Sequence, residues 1–201
     1  MQEKAAGGTG AKAMKTLDDL AVKYGNAKGS GWLNYMVEYE KYFAPLKDKV
    51  TSILELGIGN GTSLKIWYEF FNNAKIYGVD IKPDCKSFEN ERTRVFIGGQ
   101  QDLAFLGKMC NEICEDFDII IDDCGHIPGN QIISLDFLQV KLKRGGFYAI
   151  EDIRSDSIDS LVNHIENDLA KELEILFLCD RLYTDAAGEK KKVSLLIGGK
   201  I

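Results

Sequence analysis

Ile53-Leu54-Glu55-Leu56-Gly57-Ile58-Gly59-Asn60-Gly61 is an apolar run that stops on three alternating glycines, and an amphipathic segment begins at once after it. That pattern predicts a strand, a tight loop and a helix. Glycines at such a junction let the backbone turn sharply and let a ligand approach main-chain N–H groups at a helix N-terminus, which Cβ atoms would obstruct. The loop is therefore a candidate cradle for a nucleotide-like ligand.

Working outward, apolar strand candidates recur with helical stretches between them, the signature of βαβ units and a parallel sheet. The strands are expected at Ser52–Leu56, Lys75–Ile81, Arg94–Ile97, Phe117–Asp122, Gly146–Ile150, Glu174–Leu178 and Val193–Ile197. Helices are expected at Ser63–Phe71, Asp102–Glu115, Asn130–Lys141 and Ser157–Leu173, with Gly145-Gly146 as a helix C-cap. Asp185-Ala186-Ala187-Gly188 reads as the turn of a closing antiparallel hairpin. The expected fold is an α/β, Rossmann-like, doubly wound, mostly parallel seven-stranded sheet with a C-terminal antiparallel hairpin. Upstream, helices are expected over Thr16–Tyr24 and Trp32–Phe43, separated by a glycine-rich loop. Tyr35, Tyr39 and Tyr42 on the second helix suit packing or a lid. Residues 1–15 read as a flexible terminus and residues 16–201 as a single domain.

With 201 residues and 45% hydrophobic content, the chain supports one sizeable core. Its 25 Lys+Arg against 31 Asp+Glu give a net charge of −6, which argues against nucleic acid as a partner. No apolar run has membrane-spanning length and the N-terminus lacks the apolar core of a signal peptide, so a cytoplasmic protein without membrane association is expected. Five cysteines without C-x-x-C spacing read as buried thiols.

A dinucleotide fingerprint requires G-x-G-x-x-G, whereas Thr62 stands where its last glycine belongs. This disfavours an NAD-dependent oxidoreductase. Asp80 ends the second strand 19 residues after Gly61, where a carboxylate can accept the ribose hydroxyls of an adenosine. The pattern of Glu55, Gly57, Gly59, Gly61 and then Asp80 resembles the S-adenosylmethionine-dependent methyltransferases of the Rossmann-like class.

Two further strand ends are acidic: Ile121-Asp122-Asp123-Cys124-Gly125-His126 and Ile150-Glu151-Asp152. In parallel α/β sheets the ligand crevice lies outside the carboxyl ends of the strands, so these groups should converge beside the glycine loop. Crowded carboxylates repel one another, and a hard divalent cation such as Mg²⁺ or Ca²⁺ relieves that repulsion. Side chains alternate along a strand, which assigns Asp122 to the cofactor side and Asp123 to the metal. His126, three residues on, is a candidate catalytic group. His164, alone in a helix, reads as a surface residue.

Together with Tyr24-Gly25 through Lys28-Gly29-Ser30 and the segment Tyr39 to Leu46, these motifs resemble the metal-dependent sugar O-methyltransferases of the macrocin and mycinamicin type, with cephalosporin hydroxylase-like relatives. The resemblance implies Asp123, Glu151 and Asp152 as ligands of Mg²⁺ or another hard divalent cation, and His126 as general base. It places Glu55, Gly57, Gly59, Gly61, Asp80 and Asp122 around S-adenosylmethionine, with Gln100 as a further contact. It implies a saccharide or glycosylated small molecule as acceptor and leaves homodimerisation open. The family tends to read D-D-G-S-H where this chain has Asp122-Asp123-Cys124-Gly125-His126, which keeps the ligand-to-base spacing. An acidic residue often stands where this chain has Gly99, which weakens Gln100 as an adenine contact. The competing reading is a non-catalytic S-adenosylmethionine-binding or partner protein, which would not need His126 or Glu151-Asp152.

Overall fold

The computed structural model of the protein describes residues 15–184 and 190–201. The expectations for the terminus before Lys15 and for the Asp185–Gly188 turn fall outside those residues. Helices α1 (Leu17–Tyr24) and α2 (Tyr35–Phe43) precede strand β1 (Ser52–Leu56), α3 (Thr62–Phe70), β2 (Lys75–Asp80) and β3 (Thr93–Ile97). Then follow α4 (Leu103–Ile113), β4 (Phe117–Asp122), α5 (Pro128–Leu138), β5 (Leu142–Arg154), α6 (Ile158–Asp168), β6 (Leu173–Thr184) and β7 (Lys190–Lys200). The order across the seven-stranded sheet is β3-β2-β1-β4-β5-β7-β6. β1 to β5 run parallel, and β7 pairs antiparallel with both β5 and β6. The doubly wound sheet and its C-terminal hairpin are as the alternation of apolar strands predicts. No helix among the described residues is long and apolar enough to cross a membrane.

Burial on both faces explains the near-continuous apolar strands. Ile53, Ile119, Ile121 and Ala149 pack under α1, α2 and α3, while Leu54, Leu56, Ile120 and Ile150 pack under α4, α5 and α6. Strand parity thus assigns each side chain to a face. Glu55, in phase with Ile53, faces α3; Asp122, in phase with Ile120, faces α5.

Three expectations are corrected. The second helix starts at Tyr35, because Asn34 adopts a left-handed backbone (φ 59°), and Trp32 stands exposed in the preceding turn. Gly145 and Gly146 are not a helix C-cap, since β5 has already begun at Leu142. They make an irregularity in its pairing with β4, Gly145 at φ 73° and Gly146 so close to the Asp118 carbonyl that a Cβ would lie 2.7 Å from it. Finally, His164 is no free surface residue. Its ring bridges Asp136 of α5 at 2.6 Å and Asp168 at 2.8 Å.

Candidate active site

The glycine loop leaves β1 with Gly57 at φ 85°, and its N–H donates to Val79 O at 2.8 Å. A Cβ here would lie 2.1 Å from Asp123 O, so only glycine lets the loop pass the end of β4. Gly59 (φ 51°) opens on empty space, and its N–H donates to Asp80 Oδ2 at 2.9 Å. Gly61 (φ 72°) caps α3 against the Phe88 ring. The other Asp80 oxygen accepts from Lys82 N at 2.9 Å, which fixes this carboxylate at the mouth of the loop.

A cavity of about 490 Å³ begins at Gly57, Gly59 and Asp80, passes Gln100 and Gln101, and ends at Asp123 and His126. A second of about 530 Å³, bounded by Asp152, Arg154 and Lys192, meets the first at Gly125 and His126. Of the residues expected around the cofactor, Gly57, Gly59, Asp80 and Gln100 line the first cavity. Asp122 and Glu55 lie behind its wall. Asp122 is fully buried, and its oxygens accept from Gln100 Nε2 (2.9 and 3.0 Å) and from the Ser134 hydroxyl at 2.5 Å. Burial pushes its carboxyl up to about 6 in spite of these donors. Glu55 is likewise buried, accepting from Trp67 Nε1 at 2.9 Å and from Lys28 Nζ at 2.9 Å.

Lys28 is the residue that motif reasoning missed. Its Nζ lies 2.9 Å from Glu55 Oε1, 3.0 Å from Asp123 Oδ2 and 2.9 Å from Glu151 Oε1, with 7% of the side chain exposed. Strand parity explains the meeting point: Glu55, Asp123 and Glu151 end three neighbouring strands on the face covered by α1, α2 and α3. Burial opposes the ammonium charge, but the three carboxylates outweigh it and keep Lys28 protonated. One cation does not neutralise the cluster, and burial with the neighbouring Asp123 charge raises Glu151. Burial also raises Asp123, to about 6, against the pull of Lys28. The available signal was the crowding of acidic strand ends, to which the sequence reading assigned a metal ion and no cationic side chain.

A bulge separates Glu151 from Asp152. Ile150 pairs with Leu196 and Ile153 with Ser194, so two β5 residues oppose one of β7, and Asp152 takes φ 50°. This turn keeps Asp152 on the side of the cluster, where its Oδ1 accepts from Tyr35 OH at 2.8 Å. Tyr39 OH donates to Glu151 Oε1 at 2.7 Å. Burial, with the adjoining carboxylates, raises both phenols, so they remain donors. The α2 tyrosines therefore do more than pack: two of them reach the carboxylates.

Asp123, His126 and Asp152 each offer a ligand atom, all within 4.8 Å of one another. His126 Nε2 lies 3.8 Å from Asp152 Oδ2, and its Nδ1 is buried without a hydrogen-bond partner among the described residues. His126, like Asp152, adopts a left-handed backbone, at φ 52°. Such non-glycine conformations cost roughly 1–3 kcal/mol each and cluster at functional sites. Glu151 stands deeper, 1% exposed, beneath this open group.

No protein-family model matches the chain. Over 144 residues it is 35% identical to the 8-demethyl-8-(2-methoxy-alpha-L-rhamnosyl)-tetracenomycin-C 3'-O-methyltransferase of Streptomyces olivaceus, an alignment covering 68% of this chain and 36% of that enzyme. It is 32% identical over 155 residues to the demethylmacrocin O-methyltransferase of Streptomyces fradiae, covering 74% of this chain and 38% of that one. The mycinamicin VI 2''-O-methyltransferase of Micromonospora griseorubida is 32% identical over 145 residues, 68% and 36% of the two chains. The chain thus spans a little over a third of the length of these curated relatives. Among solved structures, the MycE methyltransferase of the mycinamycin biosynthetic pathway, in complex with Mg, SAH and mycinamycin VI, superposes with a TM-score of 0.75 at 24% identity. That match covers 94% of this chain and 55% of MycE. By sequence identity the chain is a homologue of the macrocin- and mycinamicin-type sugar O-methyltransferases, and by architecture it carries their Rossmann-like methyltransferase fold.

Proposed function

We propose that the chain transfers a methyl group from S-adenosylmethionine to a hydroxyl of a sugar, with Mg²⁺ or another hard divalent cation at Asp123, Glu151 and Asp152 and with His126 as general base. The observation that carries this reading is the position of His126, which lines both cavities. A donor held along the glycine loop and an acceptor lying over Asp152 would meet at its ring. The first cavity has the volume of a small-molecule site. The sugar-modifying relatives favour a glycosylated small molecule as acceptor, and a cell-surface saccharide uses the same chemistry. Residues 16–201 act in this reading as one S-adenosylmethionine-binding unit, in the cytoplasm.

The residues fit the groups this chemistry requires. Asp123 and Asp152 place carboxylate oxygens at the cleft and Glu151 lies deeper, beside Asp123 through their shared Lys28, an all-oxygen donor set suited to a hard divalent cation. The His126 ring, within 4.8 Å of the two aspartates, stands next to it as the base. Gly59, where a Cβ would meet nothing, leaves room for a ligand against the loop, and Asp80, held by the Gly59 N–H, stands ready for ribose hydroxyls. When bound, the sulfonium supplies an electrophilic methyl group and the cation supplies Lewis acidity and a template for the acceptor. The protein must then hold an oxygen in line and remove its proton. His126 Nε2, facing Asp152 across the second cavity, is the group for that proton.

A positioned base contributes ~10²–10⁴-fold. Methyl transfer to a rhamnosyl or olivosyl glycoside, followed by mass spectrometry, should fall by about that factor in His126→Ala while calorimetric binding of S-adenosylmethionine persists. Turnover at the wild-type rate would remove His126 from the mechanism. Binding of NAD in place of S-adenosylmethionine would overturn the reading altogether.

A further inference from the structure

Each carboxylate assigned to the cation has one oxygen already engaged by a buried donor from the segment before β1. Asp123 Oδ2 pairs with Lys28, Glu151 Oε1 with Lys28 and Tyr39, and Asp152 Oδ1 with Tyr35. Among the described residues no donor reaches Asp123 Oδ1 or Glu151 Oε2 within hydrogen-bond distance, and Asp152 Oδ2 has only the His126 ring nearby, at 3.8 Å. The donors belong to elements far from the carboxylates in sequence, yet all three converge on the same side of the cluster. A carboxylate tied at one oxygen has a fixed plane, and its second oxygen points in a set direction.

We propose that Lys28, Tyr35 and Tyr39 are positioning residues, which clamp one oxygen of each carboxylate and present the other as a preformed ligand to a divalent cation. This rests on the reading of Asp123, Glu151 and Asp152 as a cation site. Lys28 has a second task. Its charge allows Glu55, Asp123 and Glu151 to gather before the cation arrives, where they would otherwise repel one another. The tyrosines add no charge and only orient.

Calorimetric titration of the full chain with MgCl₂ tests this, with S-adenosylmethionine titrated separately and melting temperatures measured in EDTA. Tyr35→Phe and Tyr39→Phe keep the ring packing, so both should fold. Each is expected to weaken Mg²⁺ binding about 10- to 100-fold, the usual effect of losing an outer partner, while S-adenosylmethionine affinity and the melting temperature stay near wild type. Lys28→Met is expected to weaken Mg²⁺ binding and also to lower the melting temperature in EDTA. Should that variant not fold, the two tyrosine variants decide the matter alone. Wild-type Mg²⁺ affinity in both tyrosine variants would overturn the positioning role. Tighter Mg²⁺ binding in Lys28→Met would make Lys28 a competitor for the cation's place and overturn its part of the proposal. A wild-type chain that binds no Mg²⁺ would instead defeat the cation site itself.

Discussion

Gly57 and Gly59 look alike in the sequence and differ in what surrounds them. Both have positive φ, but a Cβ at Gly57 would overlap the Asp123 carbonyl at 2.1 Å, whereas one at Gly59 meets nothing within 4 Å. Gly57→Ala should therefore add a backbone clash to the conformational penalty, destabilising the fold by roughly 2–5 kcal/mol, while Gly59→Ala should cost about 1 kcal/mol. Chemical denaturation of the two variants checks the contrast, and equal losses would contradict it. The clash has a functional side too, because the peptide that Gly57 would displace carries Asp123. At this scale part of the motif was readable: Gly57, Gly59, Asp80, Asp123 and His126 line one cavity and Asp152 the adjoining one, whereas Gly61 lies outside both and caps α3. Glu55 and Asp122 were picked out by the same reasoning, but lie one layer behind the cleft wall, held by Trp67 and Lys28 and by Gln100 and Ser134. Lys28 stood within the Tyr24–Ser30 segment that carries the family resemblance, but a single lysine in a glycine-rich loop has no periodicity to assign it a role. Its role depends on contacts 27 and more residues away.

Among the elements, β5 differs most from its sequence reading. Expected as a five-residue strand, Gly146–Ile150, it runs from Leu142 to Arg154. Charge and glycine masked both ends: Lys143-Arg144-Gly145-Gly146 lacks an apolar run, and Glu151-Asp152 reads as a loop until the bulge against β7 is seen. Helix α6 joins α5 through His164, whose ring is 18% exposed between Asp136 and Asp168. Burial opposes its charge, but the hydrogen bonds and attraction of the two aspartates win and raise its pKa above the ordinary value of about 6.5. A raised folded-state pKa means stabilisation that is complete below the unfolded value and lost as pH rises through the folded one. The melting temperature of wild type relative to His164→Gln should thus be higher below the ordinary histidine value of about 6.5, and the gap should shrink as pH rises above it. The gap should be modest, because both aspartates are about half or more exposed to screening solvent. A gap that widens with pH would reverse the argument.

For the whole molecule, the cation site proposed at the ends of strands β4 and β5, braced by α2, would couple binding to global stability. If Mg²⁺ binds only the folded chain, saturation at a hundredfold over Kd adds about 2.7 kcal/mol, or roughly 5–10 °C in melting temperature for a chain of this size. Excess EDTA should return the value to that of the metal-free protein, and a melting temperature indifferent to millimolar Mg²⁺ would count against the site. The fold class was readable at this scale because the strands are buried on both faces and the helices between them are regular. The face shared by Glu55, Asp123 and Glu151 was implicit in the same alternation, and became visible only once register set the strands side by side.

The ties between α2 and the end of β5 set an order of events for a folding chain. Tyr35 and Asp152 are separated by 117 positions and Tyr39 and Glu151 by 112, so closing these contacts requires loops that span more than half the chain. Contacts of such range form late, after local helices and neighbouring strand pairs have been made. A chain emerging from synthesis can complete its glycine loop and the strands β1 to β3 with Lys28 still without two of its three carboxylate partners. Competence at the proposed cation site would then be gained in one late step, when β5 docks and ties to the N-terminal helices.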